Sequence, residues 1–199
     1  NYIVMSERIK TIPLGIPDDF FIPDIKEYDE NTILFIGKMD YAPNEQAAMY
    51  FIDHIFAKIK GRLPNAKFKI VGANPSSLLK SIALKEGSII VTGRVDDIVQ
   101  HVIDAAVSVA LMQSGAGMQT KILESIALGV PVVTNQLGFE GIGLEKNSDL
   151  MVALDDVEAV NMICDLMSNN KLRMQQSVRG KIALQNLYSS SKVLSHYIT

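Results

Sequence analysis

The sequence has few of the residues that build redox or metal sites. Its single cysteine, Cys164, leaves the 199-residue chain without an internal disulfide and excludes a metal site built from several cysteines. Cys164 lies in an apolar helical pattern, where a small core side chain is expected. The histidines, His54, His101 and His196, are far apart, and none has a metal-ligand spacing with another.

The chain also lacks long apolar runs and blocks of like charge. No run approaches the roughly 18 residues of a membrane-spanning helix. The first six residues have neither the basic start nor the long apolar core of a signal peptide. Residue 1 is not methionine, and we expect the chain to begin inside a longer protein. The formal charge of −3, from 19 basic and 22 acidic side chains, argues against nucleic acid as a partner.

The chain does contain a regular alternation of strand and helix patterns. With 48% hydrophobic residues, its 199 residues are enough for one domain with a sizeable core. Strands are predicted at 32–36, 68–71, 88–91, 107–112, 132–134 and 150–153, with a short candidate at 9–12. Helices are predicted at 43–60, 76–85, 96–104, 117–128, 156–168 and 170–188. This alternation predicts an α/β fold with a Rossmann-like, doubly wound parallel sheet.

Glycines follow the ends of several predicted strands. These glycines are Gly37, Gly72, Gly93, Gly115 and Gly117. Because ligands of parallel sheets bind outside the carboxyl ends of the strands, we expect these turns to converge on one rim. Tight strand-to-helix turns also require glycine without any ligand, so the glycines alone do not specify a site.

The most glycine-rich segment spans residues 114–119 and leads into a predicted helix. A helix start offers free backbone N–H groups and a positive dipole end to an anion. Lys121 and Glu124 lie near each other on the face of this helix opposite its apolar side. A cation for phosphate and a carboxylate for hydroxyls form the pair that a sugar nucleotide needs. A solvated i,i+3 ion pair explains the same two residues without a ligand.

Residues 115–134 read Gly-Ala-Gly-Met-Gln-Thr-Lys-Ile-Leu-Glu-Ser-Ile-Ala-Leu-Gly-Val-Pro-Val-Val-Thr. This segment resembles the signature of nucleotide-sugar glycosyltransferases with the GT-B fold. More narrowly, it is similar to the group 1 branch that builds bacterial surface polysaccharides. Further segments that resemble this family, in the same order, are 36–44, 70–72, 91–97 and 138–142. Five ordered segments are far more specific than one glycine-rich loop.

The resemblance implies that the chain is the C-terminal, donor-binding half of a GT-B enzyme. Residues 1–17 are expected to form an interdomain segment with a candidate first strand. Residues 18–199 are expected to form the nucleotide-sugar-binding domain with C-terminal helices. The N-terminal acceptor domain is expected to be absent from this chain, and the catalytic residues with it. We therefore expect the chain to bind nucleotide without transferring sugar on its own.

The resemblance also implies roles for individual residues. Lys38 and Lys121 are implied to hold the diphosphate, Glu124 the ribose hydroxyls, and the region of Arg94 and Val95 the base. The glycine-rich loop is expected to offer backbone N–H groups to phosphate or sugar. The whole predicted donor-binding set is Gly37, Lys38, Arg94, Val95, Gly115, Ala116, Gly117, Met118, Lys121 and Glu124.

Two positions depart from the family pattern. Counting back eight residues from Glu124 gives Ala116, where many members have a glutamate for the donor sugar. A lysine that usually follows the first turn is also absent, and Asn44 or Lys121 is the candidate substitute. Residues 140–141 are candidates to close over the site, although the glutamate there also suits a helix cap. The contact with the donor sugar is therefore left open.

The implied function is transfer of a sugar from a nucleotide diphosphate sugar to a glycan or lipid-linked acceptor in surface polysaccharide synthesis. The resemblance implies a retaining, metal-independent enzyme without a cofactor. It implies a cytoplasmic protein, at the inner face of the membrane when associated peripherally through its other half. Two alternatives stay open: a GT-B nucleotide-sugar epimerase, and a non-catalytic nucleotide-binding or scaffold module. The sequence does not specify the base, the sugar or the acceptor.

Overall fold

Six parallel strands form one sheet in the computed structural model, which describes residues 15–21, 28–115 and 117–195. The strands are β1 (Asp29–Ile36), β2 (Lys67–Val71), β3 (Ile89–Gly93), β4 (Ala105–Ala110), β5 (Val132–Asn135) and β6 (Met151–Ala153). Their order across the sheet is β3-β2-β1-β4-β5-β6, and each neighbouring pair is parallel. The predicted parallel α/β sheet is confirmed. The strand candidate at 9–12 lies outside the described residues.

Helices connect the strands and follow the last of them. They are α1 (Ala42–Tyr50), α2 (Ala57–Arg62), α3 (Ser77–Lys85), α4 (Ile98–Ile103), α5 (Thr120–Ala127), α6 (Gln136–Phe139), α7 (Asp156–Ser168), α8 (Asn170–Tyr188) and α9 (Ser190–Ser195). A π-helical segment, Phe51–Phe56, joins α1 to α2, so one continuous helix covers the predicted 43–60. A short 3-10 helix, Asp18–Phe20, precedes the sheet.

Among the differences from the sequence prediction, three lie between β4 and the end of α6. Helix α5 begins at Thr120 rather than near 117, because Gly117 has a φ of +86°, which an α-helix does not contain. Strand β4 lies two residues earlier than predicted, since the chain turns after it and the Met112 N–H donates to the Ala110 carbonyl. Helix α6 was not predicted; it begins where the Asn135 side chain accepts a hydrogen bond from the Gly138 N–H.

Helices cover both faces of the sheet, as a doubly wound fold requires. On β1, the buried Ile33 and Phe35 face one side, where they pack in a cluster with residues of α1, the π-helical segment and α7. Leu34 and Ile36 face the other side, where their cluster includes Val102 of α4. Because consecutive residues of a strand point to opposite faces, the continuous apolar run of β1 reflects burial on both sides.

The order in which the chain adds strands to the sheet changes direction at β1. It proceeds from β1 outward to β2 and β3, and then returns through α4 to the other side of β1 with β4. The loops after β1 and β4 therefore lead to helices of opposite faces and leave a crevice between them. We call the space between the carboxyl ends of these two strands the crossover crevice.

The turn after β1, which we call the first turn, and the turn after β2 pack backbone against backbone at the carboxyl ends of the strands. A Cβ atom placed on Gly72 would lie 1.8 Å from the Gly37 carbonyl oxygen and 2.7 Å from its carbonyl carbon. The Gly37 N–H in turn donates to the Val71 carbonyl at 3.0 Å. Only a residue without a side chain fits at position 72 while the first turn keeps its position.

We expect Gly72→Ala to displace the first turn and to lower the free energy of unfolding by about 2 kcal/mol or more, since backbone cannot yield as a side chain can. The measurement is urea unfolding followed by far-ultraviolet circular dichroism. Gly87→Ala is the matched control, because a Cβ there meets nothing within 4 Å. Equal stability of the two variants would contradict the close approach.

Candidate functional site

Helix α5 is fixed on the sheet by an apolar face and a buried pair of hydroxyls. Ile122, Leu123 and Ile126 are buried, as the sequence pattern predicted. The Ser125 hydroxyl donates to the Ser108 hydroxyl of β4 at 3.2 Å, and both side chains are buried. This anchoring sets the rotation of α5 about its axis and turns its first turn toward the crossover crevice.

Lys121 extends from the first turn of α5 across the crossover crevice. Its ammonium donates a hydrogen bond to Asn44 Oδ1 of α1. The same Nζ lies 4.8 Å from the centroid of the Phe35 ring on β1 and 3.9 Å from Met112 Sδ, just after β4. The ammonium therefore contacts residues from both sides of the crevice, although the two sides are far apart in sequence.

Asn44 links this ammonium to the first turn. Its side chain is 7% exposed, and its Nδ2 donates to the Lys38 carbonyl at 3.0 Å. A Cβ on Gly37 would lie 2.7 Å from both Cγ and Nδ2 of Asn44. Glycine at position 37 therefore makes room for the amide that bonds Lys121.

The glycine-rich loop lies against the start of α1. The Ser114 hydroxyl donates to Gln46 Oε1 at 2.5 Å. A Cβ on Gly115, which has a φ of +106°, would lie 3.4 Å from Pro43 Cβ and 3.7 Å from the Tyr41 hydroxyl. The loop and the first turn thus form the two walls of the crossover crevice.

The two helices that begin at the crevice have no side-chain cap. Helix α1 starts after Tyr41 and helix α5 after Gln119. In neither case does the side chain of the capping residue accept a hydrogen bond from the N–H groups at the start of its own helix. The Gln119 amide instead donates to the Gly117 carbonyl at 3.3 Å. By contrast, α3, α4, α6, α7 and α8 are capped by Ser76, Asp97, Asn135, Asp155 and Asn169. The start of α5 leaves N–H donors and a positive dipole end for an anion. At α1, Pro43 has no N–H and the Asn44 N–H donates to the Tyr41 carbonyl, so that start offers mainly its dipole end.

Burial shifts the protonation equilibria of both charged residues on this face of α5. Lys121 and Glu124 are both half-buried, so they are not the fully solvated surface pair that was the alternative interpretation. Desolvation lowers the pKa of Lys121 from 10.5 to about 8, against the opposing charge of Glu124. Desolvation likewise raises the pKa of Glu124, against the opposing charge of Lys121. Within the described ranges, no donor bonds the Glu124 carboxylate, so its oxygens are available to hydroxyl groups.

The remaining predicted residues lie farther out along the same edge of the sheet. Lys38 is exposed and pairs with Asp40 at 3.3 Å, and the Asn74 amide donates to the same carboxylate at 2.9 Å. Arg94 is exposed and Val95 half-buried directly after β3, which lies two strands, roughly 10 Å, from β1. The structure therefore does not bring Arg94 or Val95 into contact with Lys121.

The other predicted positions are Met118, Ala116 and residues 140–141. Met118 is half-buried and packs against the cluster beneath α5 and α8. A Cβ on Gly141 would lie 3.8 Å from Met118, so the segment after α6 borders the start of α5. Glu140 is exposed at the C-terminal end of α6, whose N-terminal cap is Asn135. Ala116 lies outside the described residues.

Asn135 and a cavity that it lines were not predicted from the sequence. The Asn135 amide donates to the Met112 carbonyl at 2.7 Å and joins the ends of β5 and β4. An asparagine three residues before Gly138 is a helix-cap pattern that would have indicated this residue. The cavity, of about 460 Å³, opens at the ends of β4, β5 and β6. Its polar lining residues are Tyr50, Gln113, Asn135, Asp155 and Asp156.

Two other cavities lie at the opposite edge of the sheet. One of about 390 Å³ includes Tyr28, Arg173 and Ala105, and one of about 780 Å³ includes Lys67 and Asp104. Both lie at the amino ends of strands, where parallel sheets do not bind their ligands. We therefore place the candidate site at the crossover crevice.

Residues 15–21, 28–115 and 117–195 contain neither a cluster of metal ligands nor a helix that could span a membrane. That part of the chain holds no group of three or more histidine, cysteine or acidic side chains arranged for a metal ion. No helix in it is both long and apolar enough to cross a bilayer. Metal independence remains a prediction.

Comparison with known proteins gives one family. The model for group 1 glycosyl transferases matches residues 30–169, which is most of the chain. A protein of Klebsiella pneumoniae, described as an uncharacterized 44.6 kDa protein in the cps region, is 25% identical over 171 residues. That match covers 82% of this chain and 44% of the Klebsiella protein.

Solved structures share the fold. Anabaena HepE, crystallised in complex with UDP-glucose, has a TM-score of 0.75 at 11% identity, over 97% of this chain and 57% of that one. WaaG, a glycosyltransferase involved in lipopolysaccharide biosynthesis, has a TM-score of 0.70 at 18% identity, over 98% and 57%. The chain spans about half the length of these relatives, and its fold is the Rossmann-like, parallel α/β fold, matching GT-B glycosyltransferase structures, that was expected.

The half-burial of the Lys121 ammonium leads to a spectroscopic prediction. In the protein labelled with ¹³C-lysine, the Lys121 Cε resonance, assigned by its loss in Lys121→Met, should titrate near pH 8. The proton leaves at lower pH than in an ordinary lysine because burial disfavours the charged form. Glu124→Gln should lower the midpoint further, since it removes a stabilising negative charge. A wild-type midpoint near 10.5 would show an exposed ammonium instead.

Proposed function

The chain belongs to the group 1 glycosyltransferases, and from this premise we propose that residues 18–199 form the donor-binding domain for a nucleotide diphosphate sugar. The observation that supports this most is the convergence of the Lys121 ammonium and two uncapped helix starts at the crossover crevice. A diphosphate is the part of such a donor that needs a cation and several N–H groups together.

The diphosphate is also the part of the donor that gains charge in the reaction. When the bond from the sugar to the diphosphate breaks, negative charge grows on the leaving phosphate oxygen and positive charge on the sugar ring. To Lys121 and the N–H groups of Gly115, Gly117 and Met118 we assign stabilisation of the leaving group. Half-burial strengthens such interactions because less water screens them. Lys38, after the first turn, is the second proposed cation for the diphosphate.

The other donor groups follow from the position of the diphosphate. The Glu124 carboxylate, one turn further along α5, accepts hydrogen bonds from the ribose hydroxyls. The base lies along the rim toward β3, near Arg94 and Val95. Gly37 is assigned to the sugar side. Because the sequence has alanine at position 116, where many family members have a glutamate, other groups must hold the sugar hydroxyls.

The reaction that we propose is sugar transfer to a glycan or lipid-linked acceptor in surface polysaccharide synthesis. The cps-region relative and the lipopolysaccharide glycosyltransferase support this class of product, and the HepE complex supports a UDP-sugar donor. We further propose a retaining, metal-independent enzyme that acts in the cytoplasm at the inner face of the membrane. Its acceptor and catalytic groups belong to an N-terminal domain, which residues 1–17 join to the donor domain.

We expect the isolated chain to bind nucleoside diphosphates and to depend on the two charged residues of α5. In calorimetric titrations with UDP, GDP and their sugars, Lys121→Ala and Glu124→Ala should weaken binding about tenfold or more, roughly 1.4 kcal/mol. Lys85→Ala, an exposed lysine at the end of α3, is the control and should leave the affinity unchanged. A wild-type chain that binds none of these nucleotides would favour the scaffold alternative.

We also expect the 199-residue chain not to transfer sugar by itself, because the acceptor site and general base are assigned to another domain. The measurement is release of UDP or GDP from the donor that binds, with a bacterial lipid extract as the source of acceptors. A longer protein that includes the N-terminal domain should be active under the same conditions. Turnover by the short chain alone would contradict the division into two domains.

A further inference from the structure

One buried amide joins the two walls of the crossover crevice. Asn44 accepts a hydrogen bond from the Lys121 ammonium through Oδ1 and donates one to the Lys38 carbonyl through Nδ2. The side chain is 7% exposed and lies where a side chain on Gly37 would otherwise be. Its two bonds therefore connect α5, which carries the cation, to the turn that follows β1.

Few other side chains can make both of these contacts. Aspartate has the acceptor without the amide donor, and leucine has a similar shape with neither. Two further neighbours of the ammonium, the Phe35 ring and the Met112 sulfur, accept hydrogen bonds weakly or not at all. Without Asn44, the half-buried ammonium would keep only these weak partners and the nearby Glu124 charge, so its charged form would be less stable in the crevice.

We propose that Asn44 is a positioning residue, which holds the Lys121 ammonium in the crossover crevice against the diphosphate of the donor. This inference rests on the donor site proposed above. A cation that is already fixed in place stabilises developing charge without having to be ordered during the reaction. Because Asn44 also bonds the Lys38 carbonyl, the first turn and the cation keep their relative positions while the diphosphate lies between them.

The contact itself is tested without any nucleotide. The neighbours of the ammonium from β1, α1 and the segment after β4 are Phe35, Asn44 and Met112, none of which titrates, and Glu124 is its titratable neighbour on α5. Asn44→Leu removes the acceptor and should lower the Lys121 midpoint in the ¹³C-lysine titration by about one pH unit. Asn44→Asp adds a negative charge and should raise it.

The opposite directions of the two midpoint shifts distinguish a positioning role of Asn44 from a general loosening of the fold. If either substitution only let water into the crevice, both would raise the midpoint toward that of an exposed lysine. An unchanged midpoint in Asn44→Leu, in a variant that keeps its circular dichroism spectrum and melting temperature, would overturn the contact. This readout requires no ligand, so it decides the contact whatever the nucleotide titrations show.

The role in binding is tested by a double-mutant cycle. The probe is UDP or GDP, whichever the wild type binds more tightly, compared with its monophosphate. Asn44→Leu should weaken binding of the diphosphate about tenfold and binding of the monophosphate less than twofold. In a Lys121→Met background the same substitution should cause no further loss, because Asn44 acts through the ammonium.

The outcomes distinguish the two proposals. Additive losses, or equal losses for the monophosphate and diphosphate, would overturn the role of Asn44 and leave the donor site intact. A wild-type chain that binds neither diphosphate would overturn the donor site and, with it, the role of Asn44 toward a diphosphate. Losses that are specific to the diphosphate and absent in Lys121→Met would establish both.

Discussion

The pairing of β1 with β4 is the constraint on which the rest of the structure depends. Ile33 and Leu34 of β1 lie opposite Val107 and Ser108 of β4, although the chain reaches β4 only after it has built β2 and β3 on the other side of β1. This return brings the turn after β1 and the loop after β4 together at one edge. Without that pairing, the first turn and the glycine-rich loop would have no common crevice.

The crevice then shows how a cation is kept partly out of water. Burial disfavours the charged form of Lys121, and the structure offsets this with an amide oxygen, an aromatic ring face and a carboxylate on the same helix. A surface lysine would be better solvated but would have no fixed position. The arrangement therefore costs some stability of the free protein and provides a defined place for an anion.

Much of the fold was predictable because burial on two faces leaves a strong pattern in the sequence. The continuous apolar run of β1 and the stripe of Ile122, Leu123 and Ile126 on α5 both follow from packing, and both were recognised. The glycines after several strands also indicated the edge of the sheet at which the crossover crevice lies.

The rest depended on contacts between distant parts of the chain. The start of α5 follows from the positive φ of Gly117, which the apolar periodicity does not reveal. Asn44 was identified only as a candidate substitute for a cation, because nothing local shows that its amide meets Lys121. The position of Arg94, two strands from β1, likewise follows from the order of strands, which the alternation of elements leaves undetermined.

The amide–ammonium bond has a thermodynamic consequence, because its partners are 77 positions apart in the chain. In the unfolded ensemble the two walls are separated, so any anion that requires both has affinity for the native state alone. Occupancy and folding are then linked by mass action: the ligand shifts the population toward the native state as its concentration exceeds the dissociation constant. By the same linkage, a core substitution far from the crevice lowers the apparent affinity for the ligand whenever it destabilises the fold enough to populate the unfolded state.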